Sequence, residues 1–225
     1  SDQLATGAHC YCSGNGAMAC ESHFDLPPAE KVKKVVVGGG GPSGIEAAKV
    51  LKRRGHDVTI IEKSDKLGGQ IHYAMQPLKK DHFKPLIPYF EATVEANNIP
   101  VIYNTEATVE NIMAMDPDVV ICATGVKPGR LPVPGIDLPH VLSGKDYLIG
   151  KKEVPEKLGS EGHEVTLLEM LDVLAPGYMF GNRCVLLHGL HRYNVTQHLG
   201  TKCHAIEEDK VIAADKIGFR FDIPC

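Results

Sequence analysis

Long apolar runs are missing from this 225-residue chain, and so are long runs of one charge. No segment approaches the ~18 consecutive apolar residues of a membrane-spanning helix, so no span is expected. The first residues, SDQLATGAHC, lack the charged-then-apolar pattern of an export signal, which makes a cytoplasmic location the expectation. Lysine and arginine total 24 against 28 acidic residues, a net charge of −4. With no basic block to meet nucleic acid or an anionic membrane, neither is an expected partner; small molecules are. The signatures of hydrolases are absent too: no G-x-S-x-G elbow, no Ser/His/Asp arrangement and no paired carboxylates. Seven cysteines is an odd number. Cys122, Cys184 and Cys203 lie in apolar or periodic segments, which predicts reduced, buried thiols rather than a disulfide framework.

What is present suffices for a core, with 43% hydrophobic residues in one large or two small domains. Residues 1–30, rich in Gly, Ala and Ser and ending in DLPPAEK, read as an extended leading segment. From Val35 the run VVV, a cluster of glycines, the helical pattern IEAAKVLKRR and the strand DVTIIE form a β-turn-α-β unit. Parallel strands joined in this way imply an α/β fold. The charges of KVLKRRG read as the solvated face of the helix. A loop with LGGQ at 67–70 follows, then a helix through FKPLIPYFEATVEANN, a strand at IPVIYN and a short helix near ENIMAM. The strand from Asp118 to Ala123 is almost wholly apolar, as expected when both faces of a parallel strand are covered. These elements make one nucleotide-binding domain, 31–149. The proline-rich segment VKPGRLPVPGIDLPH reads as a linker or boundary. Residues 150–225 contain a helix about GNRCVLLHGLHRY, a strand about VTQHL and a hairpin with strands KVIAADK and FRFDI.

The second half repeats the first. GHDVTIIE (Gly55 to Glu62) and GHEVTLLE (Gly162 to Glu169) agree at five of eight positions, and the rest are Asp/Glu or Ile/Leu exchanges. Upstream the copies differ in length: Gly55 lies 21 positions after Lys34, but Gly162 only 10 after Lys152. The second copy is therefore short by about one strand and one glycine turn.

Gly39-x-Gly41-x-x-Gly44, with Pro42 and Ser43 at its variable positions, sits between a strand and a helix, the context that gives this motif meaning. Gly39 permits a tight turn, Gly41 lets backbone approach a pyrophosphate, and Gly44 lets the helix pack on the strand. The free amides at the helix start attract phosphate charge. Glu62, followed by Lys63, ends the second strand, where a carboxylate accepts hydrogen bonds from an adenosine ribose and repels a 2′-phosphate. This constellation predicts a Rossmann-like FAD/NAD(P)-binding fold with a parallel sheet, plus an incomplete second Rossmann-like domain. Gly38, where an apolar residue is expected to finish the strand, is expected to loosen the turn.

With GGGGPSGIEAA, Glu62, LGGQ and CATG in register, the chain resembles the C-terminal half of the NADH:flavin oxidoreductases related to 2,4-dienoyl-CoA reductase, 2-enoate reductase and trimethylamine dehydrogenase. The resemblance implies an FAD-binding domain, or ADP-binding as in some members, with an NAD(P)H domain inserted in it. It also implies a preceding barrel, as domain or subunit, that carries FMN and an iron–sulfur cluster. On this resemblance Gly39, Gly41 and Gly44 hold the pyrophosphate and Glu62 the ribose. Gly68, Gly69 and Gln70 approach the pyrophosphate and flavin side, and Ala123, Thr124 and Gly125 form the return strand that closes over the cofactor. The role implied is electron input, from NAD(P)H to FAD, for reduction of an unsaturated substrate by the barrel. The other role consistent with the residues is a non-catalytic FAD- or ADP-binding module with a degenerate second domain.

The segment Cys12-x-x-Asn15-x-Ala17-x-x-x-Glu21 resembles the one that carries the last cluster cysteine in that family, whose other cysteines would lie upstream. One thiolate cannot hold a four-iron cluster, so no cluster is expected in this chain itself. In the second copy the resemblance makes the missing front the strand and phosphate loop of the NAD(P)H domain. Either internal residues are lacking or the copy is degenerate. Glu169 stands where an acid favours NADH over NADPH, or is simply solvated. The returning Gly-Asp segment that contacts flavin in relatives is not found before Cys225. Cys184, His188 and His191 fall at i, i+4 and i+7 of a helix, but without a fourth ligand they predict no metal. No side chain is nominated as catalytic.

Overall fold

The computed structural model describes residues 12, 14–18, 20–24, 26–76, 80–127, 129–143, 162–175 and 180–225. The chain falls into two compact units, one ending at Lys127 and the other running to Cys225.

In the first unit β1 (Lys34–Gly38), β2 (Asp57–Ile61), β3 (Val101–Ile102) and β4 (Val119–Cys122) form a parallel sheet in the order β3-β2-β1-β4. β1 pairs in register with β2 from Lys34↔Asp57 to Gly38↔Ile61, and with β4 from Val35↔Val119 to Gly38↔Cys122. Alternate residues therefore share a face. Val35, Val37, Val58 and Ile60 pack with Ile45 and Ala48 of α1 (Pro42–Arg53) and with Phe90 and Val94 of α3 (Leu86–Ala96). Each such Val or Ile contributes about 1.5–3 kcal/mol when fully buried. A four-residue helix, α2 (Ile71–Ala74), and a five-residue one, α4 (Val109–Met113), complete the unit. Thr108 caps α4, its hydroxyl oxygen accepting the Asn111 amide at 3.2 Å.

Four expectations change here. The apolar strand at 118–123 is not covered on both faces: among the described residues β4 ends the sheet, and on one of its faces Val120 is 43% exposed. Cys122 is exposed for the same reason, and Cys184 is exposed on its helix while Cys203 is half-buried, so apolar sequence surroundings did not bury these thiols. Lys49 is not part of a solvated face: its side chain is 9% exposed and its ammonium pairs with Glu46 at 2.5 Å. Gly38 does not loosen the turn, because it is held in the ladder on both sides and Ala107 occupies the space a side chain would fill, its Cβ 3.0 Å from that position.

Within the leading segment the described residues make local hydrogen bonds that its composition does not announce. The Asn15 side chain accepts the Ala17 amide at 3.1 Å and donates to Glu21 at 3.3 Å, ahead of a 3₁₀ turn at Glu21–Phe24. Its far end is tied to the end of α1, where the Ala29 amide donates to the Arg54 carbonyl and Arg54 Nε to the Pro27 carbonyl.

In the second unit β5 (Thr166–Glu169) and β6 (Thr196–Leu199) pair in parallel, joined through α5 (Phe180–Arg192). Leu174, Leu190 and Val195 form their core. A separate antiparallel sheet contains β7 (Lys202–Ile206), β8 (Lys210–Ala214) and β9 (Arg220–Pro224). The hairpin β8–β9 follows the sequence pattern. β7 is an element the sequence pattern does not announce: the alternation in KCHAI is only four residues long, and its pairing shifts between Cys203 and Ala205. The proline-rich segment meets this sheet: the Ile206 amide donates to the Pro134 carbonyl at 2.9 Å, and Gly135, at φ +83, leaves a side chain no room beside the Ile206 carbonyl. The shortened front of the second copy, 150–161, lies outside the described residues.

Candidate functional site

Strand order reverses at β1, since β2 and β3 lie on one side of it and β4 on the other. A ligand crevice is expected beyond the carboxyl ends of the strands at such a point. The chain leaves β1 into the glycine loop there, and the three motif glycines are required for three different reasons. Gly39 sits at φ +116, and a side chain on it would lie 2.3 Å from the Ala123 carbonyl oxygen. Gly44 in the first turn of α1 would put a Cβ 1.9 Å from the Gly39 carbonyl oxygen. At Gly41, by contrast, φ is −80 and a Cβ would meet nothing within 4 Å. The fold itself does not need glycine at 41; a ligand approaching that backbone would.

Helix α1 starts with Gly41 as N-cap and Pro42 next, and no side chain caps it. The amides of Gly41, Ser43 and Gly44 have no hydrogen-bond partner among the described residues. Pro42 has no amide to offer, and Ser43 is exposed. Three unpaired donors beside an open backbone at the positive end of a helix fit a pyrophosphate.

Glu62 lies next to this loop and is 6% exposed. Its Oε2 accepts the Gly40 amide at 2.7 Å, and its Oε1 accepts both the amide and the hydroxyl of Ser64, at 2.9 and 2.8 Å. These donors compensate the carboxylate for lost water. A carboxylate has about four acceptor positions, so one remains on Oε2. Gly40 is boxed in by the same group, since a Cβ there would lie 2.7 Å from Leu67 and 3.0 Å from Glu62 Oε2.

A cleft of about 300 Å³ opens here, lined by Gly39, Ile61, Glu62, Lys63, Glu106, Ala107 and the stretch Thr124–Lys127. Of the residues singled out in the sequence, Gly39, Glu62, Lys63, Thr124 and Gly125 face it. Ala123 stands behind it, its amide bonded to the Gly38 carbonyl at 2.9 Å. Gly68 and Gly69 lie against the glycine loop instead: the Gly68 amide donates to the Gly40 carbonyl at 2.9 Å, and a Cβ on Gly69 would come 3.1 Å from the Gly41 Cα. The Gln70 side chain reaches across to donate to the Val126 carbonyl at 3.2 Å. Sequence reasoning missed Ile61, Glu106, Ala107, Val126 and Lys127. The strand reversal is the signal that points to the loops after β3 and β4, and it appears only once the strand order is known.

Tyr103 stands at the end of β3; burial first, then the carboxylates of Glu91 and Glu62, hold its phenol above the ordinary value. In the second unit Glu169 repeats the habit of Glu62, its Oε1 accepting the amide two residues on, Leu171, at 2.9 Å. Cys184, His188 and His191 are all exposed along α5, and no group of three metal-binding side chains gathers among the described residues. No described helix is long and apolar enough to cross a membrane.

A parallel sheet, a glycine turn with unpaired amides and a strand-end carboxylate together define a dinucleotide-binding domain, and comparison with known proteins agrees. Residues 34–116 match the family described as pyridine nucleotide-disulphide oxidoreductase. The chain is 37% identical over 183 residues to a cinnamate reductase from Clostridium sporogenes, covering 74% of this chain and 27% of that protein. It is 31% identical over 230 residues to a bilirubin reductase from Mediterraneibacter gnavus, covering 95% and 36%. A solved 2-naphthoyl-CoA reductase complex superposes with TM-score 0.84 at 29% identity, covering 99% of this chain and 36% of the other. The chain belongs to the NADH:flavin oxidoreductase family and corresponds to its FAD/NAD(P)-binding half. It spans roughly a quarter to a third of the length of these relatives.

Proposed function

We propose that this chain is the electron-input part of a flavin-dependent oxidoreductase. It binds FAD at the first unit, passes hydride to it from NAD(P)H, and serves reduction of an unsaturated substrate by an FMN-carrying barrel, as domain or subunit. The observation that carries the reading is the set of unpaired amides at Gly41, Ser43 and Gly44 beside the one open acceptor position of Glu62. In this reading Gly39, Gly41, Pro42, Ser43 and Gly44 seat the pyrophosphate, and Glu62 and Lys63 border the ribose. Gly68, Gly69 and Gln70 cover the loop from one side; Ala123, Thr124 and Gly125 close it from the other. FAD, when bound, supplies the hydride chemistry, while the protein supplies placement and electrostatics. The names of the relatives, reductases of cinnamate, bilirubin and a naphthoyl thioester, support an unsaturated substrate. Any iron–sulfur cluster would need cysteines beyond Cys12.

A second reading, a non-catalytic FAD- or ADP-binding module, is favoured by the lack of a second G-x-G-x-x-G before Gly162. Loading the purified chain with FAD and adding NADH or NADPH without oxygen separates the two. Bleaching of the flavin absorbance supports electron input, whereas tight binding without bleaching supports the module. Absence of both FAD and ADP binding refutes both.

A further inference from the structure

Glu62 can serve a ribose only if its carboxylate is held in one orientation, with Oε2 toward the glycine loop and the cleft. Its own side chain does not ensure this, because the terminal torsion of a glutamate is broad and roughly two-fold. On one side the Gly40 amide receives Oε2. On the other, Oε1 is fixed by two donors from a single residue, the amide and hydroxyl of Ser64. The Ser64 hydroxyl lies 2.8 Å from Glu62 Oε1 and 2.8 Å from the Lys66 carbonyl oxygen. It has one proton to give, and the charged acceptor makes the stronger bond. The Ser64 backbone is itself anchored, its carbonyl accepting the Asn104 amide at 3.0 Å, while the Thr105 amide donates to the Glu62 carbonyl at 3.0 Å. These bonds join the turn after β2 to the segment bearing Glu106 and Ala107 on the cleft wall.

We infer that Ser64 is a positioning residue for dinucleotide recognition: its hydroxyl aims the Glu62 carboxylate so that the open acceptor position of Oε2 meets a ribose hydroxyl. The inference rests on the reading of the first unit as an FAD or ADP site. Ser64 touches no ligand itself. Nothing in the usual glycine-and-acid motif marks it, since it follows the acid by two positions. Losing the hydroxyl leaves the Ser64 amide as the sole donor to Oε1. The carboxylate then swings, and the ribose contact weakens while the pyrophosphate contacts at Gly41, Ser43 and Gly44 stay.

The test is calorimetric titration of the full chain with ADP, 2′-deoxy-ADP and 3′-deoxy-ADP, for wild type, Ser64→Ala and Ser64→Thr. A hydrogen bond to a charged group is worth about tenfold or more in affinity. Wild type should therefore bind ADP about tenfold tighter than the analogue lacking the hydroxyl that Glu62 receives. Ser64→Ala should weaken ADP severalfold, leave that analogue nearly unchanged and so shrink the ratio, and Ser64→Thr should restore it. Equal weakening of ADP and both analogues would make Ser64 merely structural and overturn the inference, as would an unchanged ratio. Failure of wild type to bind ADP at all would instead refute the site.

Discussion

Gly41 and Gly44 lie three apart in sequence but differ in role, and they make the sharpest experiment. Gly44→Ala places a methyl 1.9 Å from the Gly39 carbonyl oxygen, a backbone atom that cannot rotate away. Overpacking of this kind costs up to about 3 kcal/mol. Alanine recovers about 1 kcal/mol of helix propensity over glycine, leaving a net loss of about 2 kcal/mol. At about 2–4 °C per kcal/mol for a chain of this size, Tm falls by roughly 4–8 °C. Gly41→Val behaves differently, since its Cβ enters open space and its φ of −80 suits any residue. The weaker N-cap costs about 0.5–1 kcal/mol, so Tm drops by at most about 4 °C. ADP binding, however, loses its approach to the amides of Gly41, Ser43 and Gly44. Two charge-assisted bonds at about 1.5–3 kcal/mol each amount to a loss of about a hundredfold or more in affinity. Thermal unfolding and calorimetric titration with ADP read both variants. Wild-type affinity in Gly41→Val, or an unchanged Tm in Gly44→Ala, would refute the reasoning.

Leu67 is 1% exposed and belongs to the core that backs the glycine loop, so Leu67→Ala should cost about 3 kcal/mol in urea unfolding and weaken ADP binding through Gly68 and Gly40. Burial holds the Cys203 thiol above its ordinary value, and the thiolate is the reactive form. At pH 8 it should therefore react with a disulfide reagent more slowly than exposed Cys122, Cys184 and Cys225, and the gap should narrow as pH rises; peptide mapping of labelled chain at timed intervals measures this.

Much of the first unit is legible in the sequence, for local reasons. VVV followed by glycines, the 3.6-residue pattern of IEAAKVL and the strand DVTIIE each specify an element without help from distant residues, and each appears where it is expected. The glycine spacing and Glu62 are legible as a candidate dinucleotide site because such a ligand constrains backbone as well as side chains. The repeat GHEVTLLE likewise announces β5 and Glu169. Distance in sequence hides the rest. Whether the apolar run at 119–122 is central or at an edge depends on what pairs beside it, and among the described residues the sheet ends at β4 with Val120 and Cys122 uncovered. β7 pairs with β8, a partner that the short stretch KCHAI does not reveal by itself. The cleft wall of Glu106, Ala107, Val126 and Lys127 comes from two loops that strand order alone brings to one end of the sheet. The sequence by itself determined which cofactor class this protein accommodates, since glycine and carboxylate requirements are local. Only the tertiary structure decided which residues surround the site and what anchors the turn that aims Glu62, because those depend on contacts among segments some 20 to 60 residues apart.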